Sequence, residues 1–336
     1  MKKLLTAALL LALGTVAFAN EYDIVVAADG SGDYTSVQDA VNACPDYCHG
    51  RITTILIKAG TYRERVIIPH NKFRLHIKGE GADCTKLTYD CHARMIHPVT
   101  GQAMGTSGSA SFYVHSSYVT FEDLCFENSA PPVAQAVAVH IDGDFIYFKN
   151  CRFQGNQDTV YTYGYWGKDR GQKRIYFKDC YIEGTTDFIF GASRAYFDNC
   201  EIYSKADSYI TAASTPKGQP YGYVFYKCRL TAAPDVTKCY LGRPWRSYAK
   251  TVFIECEMGS HIVPEGWHDW EGPGKPDTRK NSFYAEYGNH GPGAYGKKDR
   301  VKWSHQLSSR QAAEYTFAKV MFEEEDGIIW DPEDNR

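Results

Sequence analysis

A short pattern recurs six times between residues 121 and 258, and it constrains the fold of this chain more than any other feature. Each copy begins with Phe, often has Asp or Asn at its third position, and ends in a large apolar residue at its sixth. The fourth position is occupied in turn by Leu124, Cys151, Cys180, Cys200, Cys228 and Cys256. These positions are 27, 29, 20, 28 and 28 residues apart, a repeat length typical of solenoids.

The short, aromatic-rich and alternating segments predict a solenoid built of β-strands. A leucine-rich repeat would need a Leu-x-x-Leu-x-Leu pattern, and helical repeats would need a period of 3.6 residues. A parallel β-helix fits best, with one repeat in each turn and like residues stacked in one interior column. Asx residues precede the core position, and Asx tolerates the left-handed backbone of a bend; they are Asp123, Asn150, Asp179 and Asn199.

The composition is that of an ordinary globular protein. Of 336 residues, 43% are hydrophobic and 23% are charged, and the formal net charge is −3. A near-neutral balance does not favour nucleic-acid binding, which calls for a basic face. After the N-terminal segment no apolar run reaches 18 residues, so we expect no membrane span.

The N-terminal segment has the pattern of a cleaved signal peptide. Two lysines precede an apolar run over residues 4–16, and Ala17-Phe-Ala19 supplies a small-x-small cleavage site. We therefore expect residues 1–19 to be removed and residues 20–336 to form a single β-helix domain. The mature protein is expected to be secreted or periplasmic.

Eleven cysteines in an exported chain raise the question of disulfides, and the odd number means that at least one cysteine is unpaired or pairs outside the chain. The five cysteines of the repeat are interpreted as small buried apolar residues, because they occupy the core position. Better disulfide candidates are Cys44 with Cys48, and Cys84 with Cys91, which lie in loop-like sequence outside the repeat.

The remaining segments are expected to extend and cover the solenoid. Residues 52–58 and 66–68 are predicted strands, with a turn over residues 59–61. Residues 35–44 have helical spacing and are expected to cap the open N-terminal end, since a solenoid needs a polar cover. Residues 308–319 are predicted to form a helix packed against the side.

Two carboxylates are singled out by the repeat. Asp158 and Asp187 each lie seven residues after a core cysteine, which predicts one column with the two side chains about one turn apart. Two carboxyls this close cannot both ionise freely, so they suit an acid/base and nucleophile pair. Asp207 and Asp235 share the same offset, so the spacing alone equally fits a column of solvated aspartates.

Ordered motifs resolve part of this ambiguity, because they resemble those of the pectin methylesterase family. The resemblance covers roughly residues 24–305, with characteristic start and end segments at residues 28–34 and 283–293. It rests on five motifs in the family's order: Gly60-Thr-Tyr-Arg-Glu64, Gln135-Ala-Val-Ala-Val139, Gln157-Asp-Thr-Val-Tyr161, Asp187-Phe-Ile-Phe-Gly191 and Leu241-Gly-Arg-Pro-Trp245.

The resemblance implies an all-β fold, the right-handed single-stranded parallel β-helix of the pectin lyase-like type. It implies a carbohydrate esterase that hydrolyses the C6 methyl ester of galacturonate units in pectin, giving pectate and methanol. It implies no cofactor and no metal, and the expected form is a monomer. The domain follows directly on the predicted signal, as in bacterial members without the inhibitory pro-region.

Carried over to this sequence, the family motifs assign a role to each polar residue of the site. Asp187 is the expected nucleophile and forms an acyl-enzyme. Asp158 is the general acid for the leaving methanol and then the base for water. Gln157 and Gln135 stabilise the oxyanion. Arg243 pairs with Asp187 and is expected to keep it ionised.

Four further residues are expected to contact substrate. Trp245 offers a flat face to a sugar ring, and Tyr161 and Phe190 are further aromatic residues of the cleft. Thr106 occupies the position of a substrate-binding Thr of the family. The chain departs from many members at His140, where Arg is common, and this difference is expected to bear on substrate preference.

Other functions compete with this one. A polygalacturonase would use carboxylates to cleave the glycosidic bond, but its Asn-Thr-Asp, Asp-Asp and Arg-Ile-Lys motifs are absent. A pectate lyase would need a calcium-binding acidic cluster and a basic proton acceptor. An acetylesterase of the same family, or a non-catalytic β-helix that binds sugars, are the further alternatives.

Overall fold

A computed structural model of the chain describes residues 21–164, 173–270, 277–321 and 330–333. Within these ranges the chain winds into a coil whose strands pair in parallel with the strands of neighbouring turns. Three sheets run along the coil, and we call them sheets I, II and III. The all-β parallel β-helix predicted from the repeat is confirmed.

The strand bounds follow sheet by sheet. Sheet I contains Ile24–Val26, Thr53–Ile57, Leu75–Gly79, Val119–Glu122, Ile146–Lys149, Arg174–Lys178, Arg194–Asp198, Tyr223–Tyr226, Lys250–Ile254, Phe283–Tyr287 and His305–Gln306. Sheet II contains Val66–Ile68, Phe112–Val114, Val139–Ile141, Val160–Thr162, Ile189–Gly191, Tyr209–Ala213 and Tyr240–Gly242. Sheet III contains Gly60–Arg63, Thr85–Tyr89, Cys125–Asn128, Arg152–Gln154, Tyr181–Gly184, Glu201–Ser204, Arg229–Ala232 and Glu257–Met258.

The helical segments are short. The α-helices are Val37–Ala43, Gly105–Gly108, Ser309–Ala312 and Phe317–Met321, and the 3₁₀ helices are Arg279–Asn281 and Ala313–Tyr315.

The repeat forms the interior of the coil. The six core positions from Leu124 to Cys256 are all buried, as predicted. The phenylalanines that open the pattern stack face to face from turn to turn, with ring centroids 4.3 to 5.0 Å apart. The predicted left-handed bends are also present, with φ between 49° and 58° at Asp123, Asn150, Asp179 and Asn199.

The predicted N-terminal cap is confirmed, but the prediction of a turn over residues 59–61 is wrong. Helix Val37–Ala43 begins after Ser36, whose hydroxyl accepts the N–H of Asp39, and its apolar side packs on the interior. A turn is predicted over residues 59–61, whereas residues 60–63 form a strand paired in register with residues 85–88. The cause is Tyr62, whose ring is buried in the core and holds this segment against the coil.

The predicted C-terminal helix is broken into shorter pieces. A capping box at Ser308 starts the first piece, and the extended backbone of Thr316 separates it from helix Phe317–Met321. Phe317 packs against Tyr176 on the outer face of sheet I, with centroids 4.4 Å apart. The segment therefore does pack against the side of the coil, as expected.

All eleven cysteines are free thiols, so the two expected disulfides are wrong. In each expected pair one thiol is buried and the other lies nearer to solvent: Cys44 and Cys91 are buried, whereas Cys48 is half-buried and Cys84 is exposed. The Cys91 thiol points to the carbonyl of Gly108. The interpretation of the repeat cysteines as small buried apolar residues is confirmed.

Among the described residues, no helix is long and apolar enough to cross a bilayer. The predicted signal peptide, residues 1–19, and its cleavage site lie outside the described residues.

Candidate active site

A cavity of about 550 Å³ opens on the outer face of sheet II. Beneath it lies an apolar cluster separate from the interior of the coil, formed by side chains of sheet II and of the residues just before its strands. All nine site residues predicted from the sequence line this cavity: Thr106, Gln135, Gln157, Asp158, Tyr161, Asp187, Phe190, Arg243 and Trp245. Residues far apart in sequence meet here because successive turns of the coil bring them to the same face.

The two aspartates occupy equivalent places in adjacent turns. Each lies two residues before a strand of sheet II, and these strands pair with Val160 opposite Ile189. Both have left-handed backbone, with φ of 67° at Asp158 and 50° at Asp187. Neighbouring strands of a sheet lie about 4.8 Å apart, so the expected one-turn separation holds for the backbone.

The expected column does not continue to Asp207. Sheet III pairs residues 20 positions apart at this turn, whereas sheet II pairs residues 22 apart, with Ile189 opposite Thr211. The connection before strand Tyr209–Ala213 is thus two residues longer, and the backbone N–H of Asp187 donates to the carbonyl of Tyr209. Asp207 is exposed and accepts two backbone N–H groups, from residues 237 and 238. The prediction of a shared column is therefore wrong for Asp207.

Arg243 holds Asp187 in a two-pronged ion pair. Its Nε donates to Oδ1 at 3.0 Å and its Nη2 donates to Oδ2 at 2.6 Å, so the predicted contact is confirmed. The guanidinium also lies between two rings, 3.9 Å from the centroid of Tyr209 and 4.1 Å from that of Trp270. Such a fork fixes the orientation of both carboxylate oxygens.

Tyr209 and Trp270 were missed by the sequence analysis. Tyr209 would have been found had the longer connection been recognised, because it then falls opposite Asp187 in the next turn. For Trp270 the sequence offers no signal, since it lies in a connection outside the repeated pattern.

Asp158 is buried and differs electrostatically from Asp187. Burial raises the pKa of Asp158 well above its ordinary value, and the negative charge of Asp187 raises it further. Arg243 and a hydrogen bond from the Gln157 side chain act in the opposite direction without reversing the shift. Asp158 therefore holds a proton at a pH where an exposed aspartate has lost it.

Aromatic rings form one wall of the cavity. Tyr161 and Phe190 stack face to face with centroids 4.1 Å apart, and Phe190 lies 6.0 Å from Trp245. On its other face Tyr161 stacks on His140 at 4.8 Å. Burial lowers the pKa of His140 to about 4, so this ring is neutral and packs as an aromatic residue. A stacked row of rings offers flat apolar surface to a sugar chain.

Polar groups also line the cavity. Gln135 and Gln157 belong to neighbouring turns, which are joined by a hydrogen bond from the N–H of Ala136 to the carbonyl of Gln157. Thr106 lies in the short helix Gly105–Gly108 together with Ser107, and both residues line the cavity. The site thus contains an ion-paired carboxylate, a protonated carboxyl, two amides and an aromatic wall, which are the groups needed for acyl transfer.

Comparison with known proteins agrees with this arrangement. The sequence model of the pectinesterase family matches residues 23–325. A pectinesterase/pectinesterase inhibitor of Prunus persica is 38% identical over 92% of this chain and 58% of its own length. Pectinesterase 31 of Arabidopsis thaliana is 37% identical over 90% of this chain and 92% of its own length.

The fold is shared with solved structures as well. The pectin methylesterase from carrot superposes with a TM-score of 0.80 and 31% identity, over 91% of this chain and 94% of the carrot chain. The chain spans about half the length of several curated relatives that it matches, between 46% and 58%. With four of the five family motifs gathered in one cavity of the same fold, the chain belongs to the pectinesterase family.

Proposed function

We propose that this protein is a pectin methylesterase, which hydrolyses the C6 methyl ester of galacturonate units to give pectate and methanol. The observation that carries the proposal is the unequal pair of aspartates. Asp187 is held by the Arg243 fork, and burial keeps Asp158 protonated beside it. One carboxylate and one carboxylic acid in the same cavity supply a nucleophile and an acid for ester cleavage.

In the first half of the reaction an oxygen of Asp187 attacks the ester carbonyl carbon. The carbonyl π electrons move to oxygen, and the side-chain amides of Gln157 and Gln135 donate to the oxyanion. When the tetrahedral intermediate collapses, the bond to the methoxy oxygen breaks and Asp158 protonates the leaving group. Methanol departs, and the galacturonate is left as a mixed anhydride on Asp187.

In the second half the roles are reversed. Asp158 is now a carboxylate and takes a proton from water, whose oxygen attacks the anhydride carbonyl. Collapse of this second intermediate frees the carboxylate of Asp187, which Arg243 again stabilises. The galacturonate leaves with a free carboxyl group, and Asp158 has regained its proton.

Substrate binding is assigned to the aromatic wall and to Thr106. The rings of Tyr161, Phe190 and Trp245 give an apolar face for sugar rings and methyl groups. Thr106 also lines the cavity, and its hydroxyl can form hydrogen bonds with polar groups of the pectin chain. We further propose that the protein acts as an exported monomer after removal of residues 1–19.

The decisive experiment incubates the protein with highly methylated pectin and measures methanol, free carboxyl groups and polymer length together. We expect methanol and new carboxyls in equal amounts, with no shortening of the polymer. Shortened chains without methanol would instead indicate a polygalacturonase or a lyase. Acetate release from acetylated pectin without methanol would indicate an acetylesterase, and pectin binding without any product would indicate a sugar-binding protein.

A further inference from the structure

Three potential metal ligands meet outside the catalytic pair, at the end of three strands of sheet II. They are His70, His115 and Asp142, and one ligand atom from each lies within 4.8 Å of the others. His115 Nδ1 is 2.8 Å from Asp142 Oδ1, and the rings of His70 and His115 are 5.6 Å apart. The sequence gives no hint of this cluster, because 45 and 27 residues separate its members.

The backbone of the coil brings these side chains together. The N–H of His115 donates to the carbonyl of Ile68 at 2.9 Å, and the N–H of Asp142 donates to the carbonyl of Val114 at 3.0 Å. His70 follows Ile68 by two residues in the first of these turns. The three ligands therefore come from three consecutive turns, and hydrogen bonds of the coil fix the backbone of two of them.

We propose that His70, His115 and Asp142 form a binding site for a divalent metal ion of the zinc type. Two imidazoles and one carboxylate are a ligand set that zinc accepts, whereas calcium and magnesium prefer oxygen ligands alone. Around a tetrahedral zinc, ligand atoms lie about 3.3 Å apart, as follows from bonds of about 2.0–2.1 Å.

Two adjustments are needed to reach this arrangement. The hydrogen-bonded atoms His115 Nδ1 and Asp142 Oδ1 must separate from 2.8 Å to about 3.3 Å, and His70 must approach them. His70 is exposed, so its side chain can move toward the half-buried pair of His115 and Asp142 by a change of rotamer. With three protein ligands a tetrahedral ion keeps its fourth position for water or for a carboxylate from solution.

The site is separate from the cavity but close to it. His115 lies 6.0 Å, between ring centroids, from His140, and His140 stacks on the cavity residue Tyr161. None of the three ligands lines the cavity. Metal binding is thus an additional property, independent of whether the proposed esterase activity is correct.

The test measures metal binding directly on the mature protein, residues 20–336, after treatment with a chelator. Calorimetric titration with zinc chloride should give one saturable site per chain, and cobalt chloride should give the visible absorption of tetrahedral cobalt. His70→Ala, His115→Ala and Asp142→Asn should each weaken zinc binding by at least about tenfold, the scale expected even for a lost outer-shell partner. Calcium chloride should give no binding at this site.

His305→Ala is the matched control, because His305 is an exposed histidine on sheet I, and it should bind zinc as the unchanged protein does. Thermal unfolding of the metal-free variants verifies that they are folded; if His115→Ala is not, the exposed ligand His70 still provides the test. The proposal is overturned if the unchanged protein shows no saturable zinc binding. It is equally overturned if the three ligand variants bind zinc as tightly as His305→Ala.

Discussion

Two arginines of this protein are paired with buried carboxylates, and their surroundings differ. Arg300 donates to both oxygens of Glu286 at 2.8 and 3.0 Å, and the two side chains are only 1% and 3% exposed. The other N–H groups of Arg300 donate at 3.0 Å to the carbonyls of Val263, Pro264 and Gly293. Trp267 donates to Glu286 as well, so this pair has a full set of partners.

The pair of Arg243 and Asp187 has a similar fork but different surroundings. The Arg243 side chain is 20% exposed, and its faces are covered by rings instead of carbonyl groups. A second carboxyl, that of Asp158, lies in the same cavity and has no cation of its own within 4 Å among the described residues. The positive charge of Arg243 therefore acts on two carboxyl groups, those of Asp187 and Asp158.

The difference indicates what each pair does. The groups of Arg300 and Glu286 already form hydrogen bonds within the protein, so none is available to bind a ligand. We infer that this pair stabilises the last turns of the coil. In the cavity, two carboxyl groups share one arginine, so one of them, Asp158, stays protonated in the folded protein. It can donate that proton to a substrate. The contrast between the pairs leads to five predictions.

The largest effect is expected for Asp187→Ala. Loss of the nucleophile should reduce methanol release by about 10⁴-fold or more, because no other carboxylate of the cavity is held in an arginine fork. The interior stacks do not involve this residue, so circular dichroism and the melting temperature should still report a folded coil. Activity within tenfold of the unchanged protein would refute the role assigned to Asp187.

Asp158→Asn should lower kcat by about 10²–10⁴-fold, the usual value of a general acid. The asparagine keeps the shape of the side chain but has no proton to give to methoxide. In the unchanged protein, activity should fall as the pH rises through the raised pKa of Asp158, since the acid form is lost. If a pH profile of kcat shows this alkaline limb unchanged in Asp158→Asn, then another group supplies the proton.

Glu286→Gln tests the role of the buried pair of Arg300 and Glu286. Leaving Arg300 buried without its carboxylate should cost about 3–5 kcal/mol of unfolding free energy, measured by urea denaturation. Molecules that remain folded should keep their activity, because neither residue lines the cavity. Replacing both residues by Met should recover much of the loss. A stable but inactive Glu286→Gln protein would show that the two pairs are not separate in function.

A smaller effect of opposite sign is expected for the stability of Asp158→Asn. The folded-state pKa of Asp158 is raised above the ordinary value of 3.8, so its protonated form favours folding below that pH. This contribution is lost as the pH rises through the folded-state pKa. The variant should therefore melt at a higher temperature than the unchanged protein at neutral pH and at an equal temperature below pH 3.8. A lower melting temperature at neutral pH would contradict the raised pKa.

The repeat predicted the coil because stacking depends on residue types that recur at nearly equal intervals. The turn predicted over residues 59–61 was wrong because tertiary context overrode the local signal. Burial of the adjacent Tyr62 holds this segment in a strand. Periodicity singled out Asp158 and Asp187 among the nine cavity residues, and the resemblance to the family supplied their roles and the other seven residues. Tyr209 was missed because a connection two residues longer shifts the register between sheets II and III. Trp270 was missed because it lies in a connection outside the repeated pattern.

That shifted register leads to the smallest predicted effect, for Asp207→Ala. Equal spacing from the core cysteine made this residue equivalent to Asp187, but Tyr209 takes the corresponding place. The Asp207 carboxylate accepts the N–H groups of Thr237 and Lys238 at 2.7 and 2.8 Å. Its removal should change methanol release by less than about tenfold, because the cavity keeps all its groups.

Any effect of Asp207→Ala should appear in stability instead. Lost hydrogen bonds to an exposed carboxylate should cost about 0.5–1.5 kcal/mol, and Asp207→Asn should restore part of that, since its carbonyl oxygen can accept the same N–H groups. Methanol release and urea denaturation measured on the same samples separate the two effects. A loss of activity as large as that of Asp187→Ala would mean that the repeat spacing, and not the register of sheet II, determines which aspartates carry out the reaction.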